Sequence, residues 1–183
     1  MKIESPQLRL RLFIPLVLFT LIAVFLFRAL SLDPASIPSA MIGRSLPDFE
    51  LPVLEDERLI NDADLIGQSI LINVWATWCA ACVIEHPFLM DLADSGIPIY
   101  GVNYKDQVVS ARKWLSDYGD PYVSNIIDQY GKLGFDLGVY GAPETFLVDA
   151  NGVIRHRHVG IINQEVWTSK LAKLFSDLDE GGQ

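Results

Sequence analysis

The chain has 183 residues, half of them hydrophobic, with 14 Lys/Arg against 23 Asp/Glu and a net charge of −9. That length suits one domain and an extra segment, and so acidic a chain lacks the electrostatic footprint of a nucleic-acid binder. The charge is uneven: residues 1–30 carry four basic residues and one acid, so the remainder carries ten basic and 22 acidic residues, a net of −12.

Leu12 to Phe27 is a 16-residue stretch whose only clearly polar member is Thr20, with Lys2, Arg9 and Arg11 before it and Arg28 after it. With Leu10, Ala29 and Leu30 included through snorkelling of the flanking arginines, it reaches spanning length. A cleavable signal peptide would have a small-x-small site soon after its apolar core. Here Ser39 and Ala40 come a dozen positions later and Pro38 spoils the pattern, so an uncleaved transmembrane helix within residues 1–30 is expected. The basic flank keeps the N-terminus in the cytoplasm and exports the rest. Residues 31–40, with Asp33-Pro34-Ala35-Ser36-Ile37-Pro38-Ser39, read as a stiff linker, and a folded domain is expected over 41–183.

In that domain Ser45–Val53 reads as an edge strand or extended lead-in, and Asn61–Ile66 as a short helix ended by Gly67. Ser69–Trp75 is an apolar run suited to a buried strand. From Cys79 to about Ala93 the apolar spacing turns helical, and Ile97–Asn103 reads as the next strand. Val108–Tyr118 is an expected helix, Tyr130–Leu137 a short one. Thr145–Asp149 and Val153–Val159 flank an Asn-Gly turn and predict a hairpin. The chain closes with an amphipathic helix bearing Trp167, Leu171, Leu174, Phe175 and Leu178 on one face. Parallel β-α-β units followed by an antiparallel hairpin give an α/β domain with a central mixed sheet flanked by helices.

The only two cysteines, Cys79 and Cys82, lie at the strand-to-helix turn within Trp75-Ala76-Thr77-Trp78-Cys79-Ala80-Ala81-Cys82. A cysteine there meets unpaired backbone N–H groups and the positive end of the helix dipole, which favour its thiolate. Its partner three residues on shares that face and is within reach for a small disulfide ring. Zinc would need four ligands, and His86, His156 and His158 supply no spaced second pair, so no metal is expected. Inert buried cysteines are the bland alternative. A purely structural role is weaker, because so short a loop restrains the unfolded chain little. Redox chemistry by the dithiol, with no cofactor, is the leading reading.

Trp-Cys-x-x-Cys after a buried strand, and Gly141-Ala142-Pro143-Glu144-Thr145 before another, resemble the thioredoxin superfamily. Leu46-Pro47-Asp48-Phe49, Glu85-His86 and the segment Gly134–Phe146 are similar to the membrane-anchored thioredoxin-like proteins of cytochrome c maturation, of the DsbE/CcmG type, with TlpA-like relatives next. Many of those have a proline between the cysteines, where this chain has Ala80-Ala81. The resemblance implies a thioredoxin-like fold and a disulfide reductase on the periplasmic side of the bacterial inner membrane. Its electron donor would be a membrane thiol transporter of the DsbD/CcdA type, and its acceptor apocytochrome c or a maturation helper protein. It also implies a cis Ala142–Pro143 bond packed against the dithiol.

Cys79 is then the expected attacking thiol and Cys82 the resolving one. Glu85 and Glu144 are candidates for tuning the thiolate by charge repulsion. The alternatives are that Glu85 complements the helix N-terminus and that Glu144 is a solvated loop residue. Trp78 is expected to be partly exposed as a contact surface and Trp75 to be core; Asn73 and His86 are read as structural. A reductase of another anchored pathway, such as copper-site maturation, and a non-catalytic binding module remain as alternatives.

Overall fold

The computed structural model describes the backbone of residues 6–30, 40–56 and 58–181, and side chains over 13–28, 40–56 and 58–178. It divides into two compact units, 1–37 and 38–183. In the first, helix α1 (Pro6–Leu30) carries Pro15 inside it and a Thr20 hydroxyl bonded to the Leu16 carbonyl at 2.9 Å. Among the described residues no helix is long and apolar enough to cross a membrane, so the expected span is not met there.

The second unit has the thioredoxin-like α/β fold. Its lead-in forms a separate two-stranded antiparallel sheet of β1 (Glu50–Pro52) and β2 (Leu59–Asn61). One 3₁₀ turn, Asp62–Leu65, follows, capped by Asn61 in a reciprocal capping box with Asp64. The central sheet contains β3 (Ile70–Trp75), β4 (Ile99–Tyr104), β5 (Ser124–Asp128), β6 (Glu144–Val148) and β7 (Ile154–Val159). Their order is β5-β4-β3-β6-β7, with β3, β4 and β5 parallel and β6 and β7 antiparallel. Helices α2 (Ala80–Asp94) and α3 (Val108–Tyr118) make the crossovers, and α4 (Lys132–Asp136) is a single short turn.

Alternation along β3 divides the core. Leu71 and Trp75 pack with Cys79, Cys82, Leu89 and Leu92 of the α2 layer, whereas Ile70, Ile72 and Val74 pack with Phe146, Val148 and Ile126 on the other face. All six β3 residues are buried, as expected for a central strand covered on both faces. The C-terminal segment is not one regular helix: α5 (Gln164–Val166), a π-helical stretch Trp167–Leu171, and α6 (Ala172–Gly181) follow each other. Leu171 and Phe175 enter the core, but Leu174 is 41% exposed and stands off the apolar face expected for it.

Candidate active site

Trp75 ends β3 inside the core, and the chain turns through Ala76, Thr77 and Trp78 to Cys79, the N-cap of α2. Cys79 has extended backbone and its Sγ accepts from the Cys82 amide at 3.0 Å. The two cysteines form a disulfide with Cα atoms 5.3 Å apart. They are 4% and 2% exposed, so burial hardly separates them. What separates them is position: Cys79 stands outside the helix against its first orphan amides, and Cys82 lies in the first turn.

The turn before Cys79 hangs on one carboxylate that the sequence reading missed. Asp106 accepts from Thr77 N at 2.6 Å, Thr77 Oγ1 at 2.8 Å, Asn103 Nδ2 at 3.1 Å and Gln107 N at 2.8 Å. The neighbouring Lys105, at φ 49°, presents its carbonyl to the Trp78 indole at 3.2 Å. Trp78 is 55% exposed beside the disulfide, a flat apolar surface open to a partner.

Beneath the cysteines is a buried polar network. Cys82 and Glu85 are three residues apart on α2, hence on one face. Glu85, 1% exposed, accepts from Asn73 Nδ2 at 2.9 Å and from Ile162 N at 3.0 Å. Asn73 Nδ2 also donates to Thr145 Oγ1 at 3.0 Å, and the Tyr122 hydroxyl donates to Asn73 Oδ1 at 2.9 Å. Burial pushes Glu85 up to about 7, against the lowering effect of its bonds from Ile162 and Asn73. A carboxyl so placed can take or give a proton near neutral pH. Burial, then the Glu85 charge, pushes the Tyr122 phenol far above its ordinary value, so it stays a neutral donor. Asn73 is the hub of this network rather than a bystander.

The Ala142–Pro143 bond is cis. Ala142 packs against the core cluster that holds both cysteines, and the Pro143 carbonyl accepts from Gly160 N at 2.9 Å. Thr145 faces Asn73 and α2, so alternation puts Glu144 on the opposite face of the sheet. There Glu144 is fully buried and paired with Arg157, whose Nε and Nη2 lie 2.7 and 2.6 Å from Oε2, and its Oε1 accepts from Tyr140 N. Burial raises its carboxyl, and Arg157 opposes that. The two acids named from the sequence therefore lie on different faces of the sheet, Glu85 on the side of α2 and its dithiol and Glu144 on the side away from it. His86 is buried, bonded to the Gly119 carbonyl at 3.1 Å, and set edge-on to Trp114. Among the described residues no group of three or more His, Cys, Asp or Glu is placed to hold a metal ion.

Comparison with known proteins agrees with this geometry. The Redoxin family matches residues 41–175. The thiol:disulfide interchange protein DsbE of Pseudomonas fluorescens biotype C is 52% identical over 90% of this chain and 93% of its own. DsbE of Escherichia coli K12 is 44% identical over 90% of this chain and 92% of its own. Among solved structures, dsbF of MTB, in mixed oxidized and reduced forms, superposes with a TM-score of 0.61 at 25% identity, covering 69% of this chain and 94% of that one.

Proposed function

Because the chain belongs to the DsbE family of thiol:disulfide interchange proteins, we propose that it keeps the haem-binding cysteines of apocytochrome c, or the disulfide of a maturation helper, reduced outside the cytoplasm. It is a thiol:disulfide oxidoreductase. The observation that carries the reading is the Cys79–Cys82 pair at the start of α2, with Glu85 buried one turn further on.

In the reduced protein the Cys79 thiolate attacks one sulfur of the substrate disulfide, forming a mixed disulfide and releasing the other substrate sulfur as a thiolate that is then protonated. Cys82 gives up its proton and attacks Cys79 Sγ. The mixed disulfide breaks, the second substrate sulfur leaves as a thiol, and the protein is left oxidised. Glu85 is the group within the buried site that takes the Cys82 proton, since its own proton affinity lies near neutrality. Trp78 and the backbone around Pro143 receive the extended substrate segment. A membrane thiol transporter of the DsbD/CcdA type returns the two electrons. An oxidising compartment makes such a dedicated reductant necessary.

The anchor belongs to the same reading. Its support is the sequence: the apolar stretch Leu12–Phe27, extended to Leu10 and Leu30 by snorkelling of the flanking arginines, with Lys2, Arg9 and Arg11 before it. Every described side chain from Phe13 to Phe27 is apolar or, for Thr20, bonded within the helix. This holds the catalytic domain on the periplasmic side, next to its electron source. The test is trapping with Cys82→Ala in cells: a mixed disulfide through Cys79 to a protein with a Cys-x-x-Cys-His segment, or to a maturation helper, is expected. Capture only of proteins of copper-site assembly would move the chain to another anchored pathway. Recovery of the intact chain in the soluble fraction would remove the anchor.

A further inference from the structure

Asn73 and Tyr122 are 49 residues apart, and no step of the exchange uses either of them. Their meeting is nonetheless built into the sheet. Asn73 of β3 pairs with Gly101 of β4, which pairs with Asn125 of β5. Tyr122, just before β5, lies across this row: a Cβ on Gly101 would come 3.1 Å from its Cγ and 2.9 Å from Trp75 Nε1, and would run into Asn125 Oδ1. Only glycine leaves room there for the ring, which also stacks on Trp75 at 5.7 Å between centroids. The ring thus crosses β4 and delivers its hydroxyl to Asn73 Oδ1 at 2.9 Å.

We propose that Tyr122 is a positioning residue of this site: its hydroxyl locks the Asn73 amide with the Nδ2 donor turned on Glu85. An asparagine amide has two faces of opposite sense. With Oδ1 taken by the phenol, Nδ2 serves Glu85 and Thr145 Oγ1. A flipped amide would set Oδ1 against the Glu85 carboxylate. It would also offer Nδ2 to the phenol oxygen and leave the hydroxyl hydrogen, whose one bond among the described residues is to Asn73, without an acceptor. The lock matters for exchange in so far as Glu85 takes the Cys82 proton, the reading given above. Among the described residues, the Ile162 amide from the loop after β7 donates to Glu85, Thr145 of β6 is held by Asn73, and Cys82 lies one turn back on α2. His86 turns to Gly119, His158 to the Ile161 carbonyl, Asp120 to Asn125, and Glu144 to Arg157 on the other face.

The test is a carboxyl titration of Glu85 in the oxidised full chain, read by ¹³C NMR and assigned by Glu85→Gln. Tyr122→Phe removes only the hydroxyl and keeps the ring over Gly101. Without the hydroxyl on its Oδ1 the Asn73 amide no longer holds Nδ2 on Glu85, and a weakened donor bond disfavours the carboxylate form, so proton affinity should rise about tenfold, moving the midpoint up by about one pH unit. Asn73→Ala should raise it at least as far, and Tyr122→Phe should add nothing in the Asn73→Ala background. An unchanged midpoint in Tyr122→Phe, or shifts that add in the double variant, would overturn the lock. If Tyr122→Phe does not fold, an unchanged midpoint in Asn73→Ala overturns it equally. Titration of the Cys82 thiol in reduced Cys79→Ala separates the two ideas. A Glu85 midpoint that moves without the thiol keeps the lock and sinks the proton transfer to Glu85.

Discussion

Glu85→Gln should flatten the fall in stability that the protein shows on going from mildly acidic to mildly alkaline pH. Glu85 is 1% exposed and, among the described residues, has the Asn73 and Ile162 donors to replace water, so burial raises its pKa from the ordinary 4.5 to about 7. A carboxyl raised on folding binds its proton more tightly in the native chain than in the unfolded one. Its contribution is therefore fully present below about pH 4.5 and is lost as pH climbs through about 7. At about 1.36 kcal/mol for each pH unit between those values, the loss amounts to roughly 3 kcal/mol. Glutamine fills the same space, carries no charge and cannot titrate, so this component should vanish. The assay is urea unfolding of the oxidised protein at pH 5 and pH 8, followed by tryptophan fluorescence. The stability difference between the two pH values should be larger in the parent than in Glu85→Gln by about 2–3 kcal/mol. Equal differences in the two proteins would show that Glu85 is ionised across the range, and would refute both its perturbed acidity and its part in proton transfer.

Glu144→Gln should leave the Cys79 thiol titration where it is, because the carboxylate faces Arg157 across the sheet; thermal unfolding should instead report a loss of about 3 kcal/mol from a buried, uncompensated guanidinium. Asp106→Ala deprives Thr77 and Asn103 of a shared acceptor and should cost about 2 kcal/mol by urea unfolding, with faster alkylation of reduced Cys79 as the turn loosens. Cys79→Ser should abolish every mixed disulfide seen with Cys82→Ala on non-reducing gels; trapping that survives Cys79→Ser would reverse the roles of the two cysteines.

The periodic elements were legible in the sequence, and so was the dithiol. Helix α3 falls on the expected Val108–Tyr118, the Asn-Gly hairpin forms, and Cys79 caps α2. Strand β5 was not legible, because Ser124, Asn125 and Asp128 are buried polar residues that hide its apolar core. Their burial is tolerated because Glu55 and Asp120 satisfy Asn125, while the Asp128 carboxylate takes the amides that open α4. The Glu85 network was half legible. Helical spacing from Cys82 points to Glu85, but its partners come from separations of 12, 49, 72 and 77 residues, made by the register of β3 with β4 and β6. No local pattern encodes such contacts. Glu144 shows the converse: adjacent to Pro143 in sequence, it belongs to the other side of the sheet once strand alternation is applied.

The most direct measurement is electron transfer itself. The protein, reduced and freed of reductant, is mixed with an equimolar peptide whose Cys-x-x-Cys-His segment is disulfide-bonded, and both are followed by intact mass under acid quench. Thiol:disulfide exchange at this site predicts that the peptide gains two hydrogens as the protein loses two, with the new disulfide mapping to Cys79 and Cys82 and no exchange in Cys79→Ser. A peptide that stays oxidised while Cys79 and Cys82 remain free thiols would contradict the assignment of this chain as a reductant of haem-binding cysteines.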